Sequence, residues 1–233
     1  MPENVTSIDF TILMPCLNEE ANIGSCIDEA MEYIHSNHLI GEVLIVDNNS
    51  TDRSAEIAIN HGAVVISEPR RGYGRALRSG LQKAKGDIII FGDCDSTYDF
   101  LHLDPLYRPL VNNQYDFITG NRFSGLMEND AMSFSHRLGV PFLSFCGRLK
   151  YGVTVHDFHC GIRGIRRDAL EKLTFHTSGM EFATEMIAEA SRKGLRIGEV
   201  SVPLRKAASP RNEKLRTIRD GLRHLWYIIM TPR

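Results

Sequence analysis

Asp-Ile-Ile-Ile-Phe-Gly-Asp-Cys-Asp-Ser-Thr (87–97) is the stretch that decides the fold. Ile88, Ile89, Ile90 and Phe91 form a continuous apolar run between Gly86 and Gly92. That is the pattern of a strand buried on both faces, in a sheet covered by helices. At its end stand two carboxylates, Asp93 and Asp95, with Cys94 between them. Like charges at the mouth of an apolar strand repel each other and gain nothing from the core, so their placement points to a cation. Hard oxygen donors without a His or Cys cluster favour Mg²⁺ or Mn²⁺ over zinc. A cation with so few protein ligands shares its shell with a substrate phosphate. Cys94 is expected to pack towards the other side of the strand.

Outward from this strand, short apolar runs alternate with helical patterns, which predicts a mostly parallel sheet flanked by helices. Upstream, strands are expected over 10–14 (ended by Pro15), 43–46 and 63–66. Asn18 is expected to cap a helix carrying Ile23, Ile27, Met31 and Ile34 at helical spacing. A second helix is expected over 53–60, and a third from the turn Arg70-Arg71-Gly72-Tyr73-Gly74-Arg75 to Lys85. Downstream, the pattern gives helices over 101–112, 131–151, 168–173 and 181–193, and strands over 116–119 and 197–202. The 131–151 helix has an apolar face and carries basic Arg137, Arg148 and Lys150. Residues 207–216 read as a polar, basic, mobile loop, followed by an amphipathic helix over 219–230. No repeat or low-complexity linker divides the chain, so one domain is expected over 1–205 with an appendage over 206–233.

Composition narrows the function classes. The 233 residues are 42% hydrophobic and 24% charged, which suits a globular chain with a sizeable core. A formal net charge of -2 argues against a nucleic-acid partner. Five cysteines without a CxxC pair point to free thiols in a reducing compartment. The polar, acidic opening is not that of a signal peptide. No uncharged run approaches the ~18 residues of a transmembrane helix.

In open parallel sheets, ligands bind outside the carboxyl ends of the strands. Four features fall at such ends: 15–19, 47–52, 70–75 and 93–97. Asp47 can accept hydrogen bonds from a base or ribose, although a turn followed by a helix cap also explains 47–50, and for Ser50 explains it better. The basic glycine-containing turn can approach an anion with backbone N–H groups and guanidinium forks. It follows the third strand and lacks the full dinucleotide fingerprint, which argues against a nicotinamide enzyme.

Three of these stretches, Met-Pro-Cys-Leu-Asn-Glu-Glu (14–20), Val-Asp-Asn-Asn-Ser-Thr-Asp (46–52) and Gly-Asp-Cys-Asp-Ser-Thr-Tyr-Asp (92–99), resemble family-2 nucleotide-sugar glycosyltransferases. Gly-Asn-Arg-Phe (120–123), Asp-Phe-His-Cys-Gly-Ile-Arg (157–163) and Gly-Met-Glu-Phe-Ala-Thr-Glu (179–185) resemble the branch that makes polyprenyl-phosphate sugars, including dolichyl-phosphate mannose and glucose synthases. The resemblance runs over roughly residues 8–225. It implies an α/β GT-A fold, a Rossmann-like, mostly parallel sheet flanked by helices. It also implies a Mg²⁺ or Mn²⁺ cofactor and inverting transfer of a hexose from a GDP- or UDP-sugar to a polyprenyl phosphate of dolichyl or undecaprenyl type. Pro15, Leu17, Glu19 and Asp47 would then border the base and ribose, and Asp93 and Asp95 would hold metal and diphosphate. Arg122 and Arg137 would meet the diphosphate or the acceptor phosphate. Lys214, in the loop Ala-Ser-Pro-Arg-Asn-Glu-Lys (208–214), would be the cation of a loop closing over the donor.

The candidate catalytic residues are therefore Asp95, Asp157, Arg122 and Arg137. An acceptor phosphate is already anionic and can attack the anomeric carbon without a strong base. Asp157 then orients acceptor or sugar, or simply caps a turn, and Arg163 pairs with it or with phosphate. His156, His159 and Cys160 have poor spacing for zinc, and a donor-sugar contact or core packing is expected for them. Glu181 and Glu185, one helical turn apart, read more readily as solvated helix carboxylates than as sugar ligands.

Arg216, Arg219 and Arg223 with Trp226, Tyr227, Ile228 and Ile229 combine cations with an apolar side, as an anionic membrane surface requires. The expected location is the cytoplasmic face of a membrane. Alternatives are a glycosyltransferase with a soluble hydroxyl acceptor, for which Asp157 or Glu181 would serve as base, a nucleotidyltransferase, and a nucleotide-sugar sensor without turnover.

Overall fold

The computed structural model describes residues 8–207 and 217–232. Seven strands, β1 (Phe10–Cys16), β2 (Gly41–Asp47), β3 (Val64–Ser67), β4 (Ile88–Phe91), β5 (Phe117–Asn121), β6 (Arg163–Arg166) and β7 (Ile197–Ser201), form one sheet. Its order is β3-β2-β1-β4-β6-β5-β7. The helices are α1 (Ile23–Ser36), α2 (Ser54–Asn60), α3 (Tyr73–Lys83), α4 (Asp104–Val111), α5 (Phe134–Tyr151), α6 (Arg167–Leu170), α7 (Phe182–Arg192) and α8 (Thr217–Met230).

The apolar runs are strands because two hydrophobic layers need them from opposite sides. Side chains alternate across a strand, so Phe10, Ile12 and Met14 of β1, with Ile88 and Ile90 of β4, face one core. Leu13, Ile89 and Phe91 face the other. Each such buried side chain contributes about 1.5–3 kcal/mol of transfer free energy. Thr11, buried between them, donates from Oγ1 to Glu42 Oε1 at 2.9 Å. The strand around 88–91 is as expected from its sequence, with bounds Ile88–Phe91.

β1 pairs in parallel with β2 on one side and β4 on the other. The chain thus departs from β1 in opposite directions, and the carboxyl ends of β1 and β4 open a crevice at this switch point. β6 breaks the parallel pattern by pairing antiparallel with both β4 and β5. No strand is expected at 163–166 from its sequence, because Arg-Gly-Ile-Arg has neither an apolar run nor alternation. The sheet overrides propensity by burying the Arg163 side chain completely.

Arg163 sits there because its guanidinium meets three main-chain carbonyls. It donates to Cys160 O at 2.9 Å, Ala183 O at 2.7 Å and Phe158 O at 2.6 Å. Its cation also lies 5.9 Å from the centre of the Phe117 ring. Sequence reading offered Asp157 or a phosphate as its partner, and the structure replaces both with backbone oxygens.

Two helix expectations are corrected. Asn18 does not cap α1. It has φ 55° and its side chain turns to another loop, while Asn22 occupies the N-cap position. The helix expected over 168–173 is a single turn, Arg167–Leu170. The loop and lysine expected over 207–216 lie largely outside the described residues. Replacing Arg163 by Met leaves three buried carbonyls without donors. The expected cost is about 3 kcal/mol of stability, read as a lower urea midpoint with an unchanged slope.

Candidate functional site

The crevice at the ends of β1, β2 and β4 gathers the residues singled out for the nucleotide side. Pro15 does not end β1 as its sequence suggests but lies inside it, opposite Val46 of β2; Asp47 closes β2 beside Cys16, and Leu17 and Glu19 follow on the loop after β1. These loops are stitched directly. Asn18 N donates to Ser50 Oγ at 3.0 Å, Thr51 N donates to Asn18 Oδ1 at 2.8 Å, and Glu19 N donates to Ser54 Oγ at 2.8 Å. Asp47 Oδ1 accepts from Ser50 N at 3.2 Å.

Asn48 is the residue that sequence reading missed. It is buried and donates from Nδ2 to Glu68 O at 2.9 Å and Arg70 O at 3.0 Å, while its Oδ1 accepts from Gly72 N at 2.7 Å. One amide thereby fixes the basic turn against the β2 end. Gly72 has φ 151°, and a Cβ there would lie 2.4 Å from Ser178 O. The turn therefore presses on the loop before α7 as only glycine permits.

Asp93 and Asp95 stand at the carboxyl end of β4. Asp95 Oδ1 accepts from Thr97 N at 3.2 Å and Thr97 Oγ1 at 2.5 Å, so a buried threonine sets its direction. A Cβ on Gly161 would come within 2.3 Å of Asp93 Oδ2, so the 157–161 loop cradles that carboxylate at close range. Tyr98 ties the same loop down by accepting from Gly161 N at 2.8 Å. Burial, and then the Asp93 charge, hold the Tyr73 phenol well above its ordinary pKa. Cys94 packs into the core as expected and donates to Pro15 O at 3.2 Å. No group of three His, Cys, Asp or Glu side chains suited to a metal occurs among the described residues. Two hard carboxylates fit a divalent cation that completes its shell with substrate oxygens.

Across the crevice, Arg122 follows β5 and makes a bidentate pair with Asp157. The contacts are Nε to Oδ2 at 2.7 Å and Nη2 to Oδ1 at 2.9 Å, with Arg122 N also donating to Oδ2. Burial disfavours the Arg122 charge, but Tyr98 and Asp157 outweigh it and hold its pKa well above the ordinary range. Asp157 has no exposed surface. The sequence offers Asp157 as orienting acceptor or sugar or as a turn cap; in the structure its oxygens are taken by Arg122 and by the His159 amide two residues on. Glu199 Oε1 accepts from the His156 and Asp157 amides, and Phe158 N donates to Ser144 Oγ. Arg137 lies apart on the exposed first turn of α5, its guanidinium 3.5 Å from Met127 Sδ. Lys214 lies outside the described residues.

The two glutamates expected in solvent are buried. Glu185 accepts from His176 N, Thr177 N and Thr177 Oγ1 at 2.8, 3.0 and 2.5 Å, which fixes the loop before α7. Glu181 Oε1 accepts from Gly179 N at 3.2 Å and pairs with Arg223 at 2.7 Å. Helical spacing could not reveal this, because the covering groups come from a loop and from α8. His156 pairs with Glu199, the His159 ring meets the His224 ring edge-on at 4.3 Å, and Cys160 packs in the core. Burial lowers His224 to about 4, with Glu181 opposing and Arg163 and Arg223 adding to the shift.

Residues 11–174 match the family described as Glycosyl transferase family 2. The low-salt glycan biosynthesis hexosyltransferase Agl6 of Haloferax volcanii is 36% identical over 222 residues, 95% of this chain and 53% of that protein. The chain thus spans about half the length of that relative. A dolichyl-phosphate hexose transferase of the same organism is 31% identical over 200 residues, covering 86% of this chain and 84% of that protein. In fold, the chain is similar to glucosyl-3-phosphoglycerate synthase of Mycobacterium tuberculosis, crystallised with Mn²⁺, UDP-glucose and phosphoglyceric acid. The TM-score is 0.78 at 25% identity, over 97% of this chain and 81% of that one.

Asp157→Asn leaves the Arg122 guanidinium buried without its counter-charge. The expected loss is about 3–5 kcal/mol, and a double-mutant cycle with Arg122→Met will show strong coupling between the two sites. His224 titrates near about 6.5 when unfolded and near about 4 when folded. The unfolded chain therefore binds more protons across that window, so stability is full above it and falls as pH drops through it. His224→Phe should flatten the dependence of the urea midpoint on pH between those values.

Proposed function

The chain belongs to glycosyl transferase family 2, and on that footing we propose that it transfers a hexose from a GDP- or UDP-sugar to a polyprenyl phosphate at the cytoplasmic face of a membrane. The observation that carries this reading is one loop that meets the Asp93 carboxylate at Gly161 and, through buried Asp157, fixes Arg122. A nucleoside diphosphate leaving group develops negative charge and needs cationic groups already in place.

Asp93 and Asp95 would hold the divalent cation, which when bound supplies Lewis-acid stabilisation of the leaving diphosphate. Asn48 and the stitched 15–19 and 47–52 loops hold the nucleotide side rigid, and Asp47 offers a carboxylate to base or ribose. Arg122 arrives already oriented, so its charge costs no reorganisation during the reaction. A phosphate oxygen of the acceptor bonds to the anomeric carbon as the bond from that carbon to the diphosphate breaks, with inversion. Because the acceptor is already an anion, no strong base is required. This agrees with Asp157, whose two oxygens are both occupied by Arg122.

Membrane association draws support from α5 and α8, which pack on each other and are linked at their ends by Tyr151 Oη and Thr231 Oγ1 at 2.8 Å. Phe134, Leu138, Phe142, Phe145 and Leu149 recur every three or four residues along α5 and are all exposed. Leu222, Trp226, Ile229 and Met230 do the same on α8. Ile228 and Tyr227, expected from sequence on this face, turn instead towards the core. Arg148 lies over the Phe145 ring at 5.9 Å, and Arg137, Lys150 and Arg219 add positive charge. Apolar stripes interleaved with cations suit an interface carrying anionic lipid. No helix among the described residues is long and apolar enough to cross a membrane.

A soluble hydroxyl acceptor is the second reading, favoured by the similarity in fold to an enzyme crystallised with phosphoglyceric acid. Release of nucleoside diphosphate, measured over GDP- and UDP-hexoses with Mn²⁺, decides between them. The first reading expects turnover only with a short polyprenyl phosphate present, and loss of about 10²–10³-fold in Asp93→Asn. Turnover with phosphoglycerate instead would transfer the assignment to the second. Phe142→Glu combined with Trp226→Glu should abolish co-sedimentation with phosphatidylglycerol vesicles and leave the melting temperature unchanged.

A further inference from the structure

Four buried side-chain polar atoms among the described residues have no hydrogen-bond partner: Tyr33 Oη, both ring nitrogens of His159, and Glu181 Oε2. Three of the four belong to one neighbourhood. His224 of α8 joins them, since its ring meets that of His159 at 4.3 Å and Glu181 is among the charges acting on it. His224 Nδ1 is itself engaged by Thr184 Oγ1 at 2.8 Å, and Glu181 Oε1 by Gly179 N and Arg223. These partners leave the His159 nitrogens and one Glu181 oxygen without a hydrogen bond. An unsatisfied buried polar atom is costly, so three of them together mark the place of a polar ligand.

The chemistry of that ligand follows from the two side chains. His159 is half-buried with both ring nitrogens shielded, and burial, then His224, Arg122 and Arg163, hold its pKa well below the ordinary value, so the ring is neutral. A neutral imidazole offers one N–H donor and one acceptor nitrogen, while Glu181 Oε2 offers an acceptor alone. A fully ionised phosphate has no proton for either acceptor, and any phosphate anion is repelled by the carboxylate. A hydroxyl donates to one acceptor and receives from the donor, and a hexose presents several on one face.

We infer that His159, with Glu181 beside it, reads hydroxyls of the hexose carried by the nucleotide donor, and that His224 of α8 holds the imidazole in place. The assignment rests on the glycosyl-transfer reading and adds to it a specificity residue. It also makes α8 a wall of the sugar pocket as well as the carrier of an apolar face.

The test compares the affinity of the full chain for a nucleoside diphosphate and for the matching nucleotide-hexose, by calorimetry with Mn²⁺. The ratio isolates what the sugar contributes. His159→Phe keeps a ring against His224 and removes both nitrogens; His159→Gln keeps a donor and an acceptor. The Phe variant should hold its diphosphate affinity within about twofold and lose about tenfold in the hexose ratio. The Gln variant should recover most of that loss. Among donors each lacking one hydroxyl, the one lacking the hydroxyl that is read should bind wild type and the Phe variant alike. An unchanged hexose ratio in the Phe variant would overturn the inference, as would equal loss of diphosphate and hexose binding in both variants, since that marks a loop-packing role. If wild type binds the diphosphate but gains nothing from any hexose, the glycosyl-transfer reading fails first and takes this assignment with it.

Discussion

A carboxylate with no exposed surface needs donors for both of its oxygens, and at Asp157 the Arg122 guanidinium supplies them. The demand spreads outward. Arg122 must be held where Asp157 can reach it, so the end of β5 and the 156–163 loop are locked to each other. Glu199 takes two amides of that loop, Ser144 a third and Tyr98 a fourth, while Arg163 takes two of its carbonyls. A segment without regular structure thereby acquires the rigidity of a strand. Breaking the pair would leave a buried charge with no partner, which is why such pairs fix geometry more reliably than they add stability.

The two sides of the crevice are built on different principles. On the β1 and β2 side, short polar side chains from one loop cap the amides of the other, and Asn48 alone bonds to three main-chain groups. On the β5 and β6 side, long charged side chains reach into the interior. The first arrangement suits a flat, neutral base and a ribose. The second suits developing negative charge, because guanidinium groups preset in a low dielectric act strongly on it. The cradle at Gly161 sits where the two sides meet, against Asp93.

α8 links this crevice to the outer surface. Its inward residues, Arg223 and His224, touch Glu181, Thr184 and His159, while Trp226 and Ile229 point outward from the same helix. An apolar face of this size on α5 and α8 is not what a free monomer presents to water. Whatever covers it bears directly on the helix that lines the site.

The sequence by itself determined the layered α/β plan, because strands buried on both faces must be apolar throughout and Ile88 to Phe91 can be nothing else. It also determined which loops bear on the crevice, since carboxylates at strand ends are legible one segment at a time. The tertiary structure alone decided which of those polar residues face a ligand and which face each other. Glu181, Glu185 and Asp157 read as ordinary acids in their own segments, yet Glu185 is met from 8 and 9 positions away, Asp157 from 35 and Glu181 from 42. β6 is illegible for a related reason: the carbonyls that hold Arg163 come from the loop folded back before it and from Ala183, 20 positions on, and neither leaves a pattern in Arg-Gly-Ile-Arg itself. Hydrophobic burial leaves a periodic record in the chain, whereas the satisfaction of a buried charge depends on whatever the fold brings beside it.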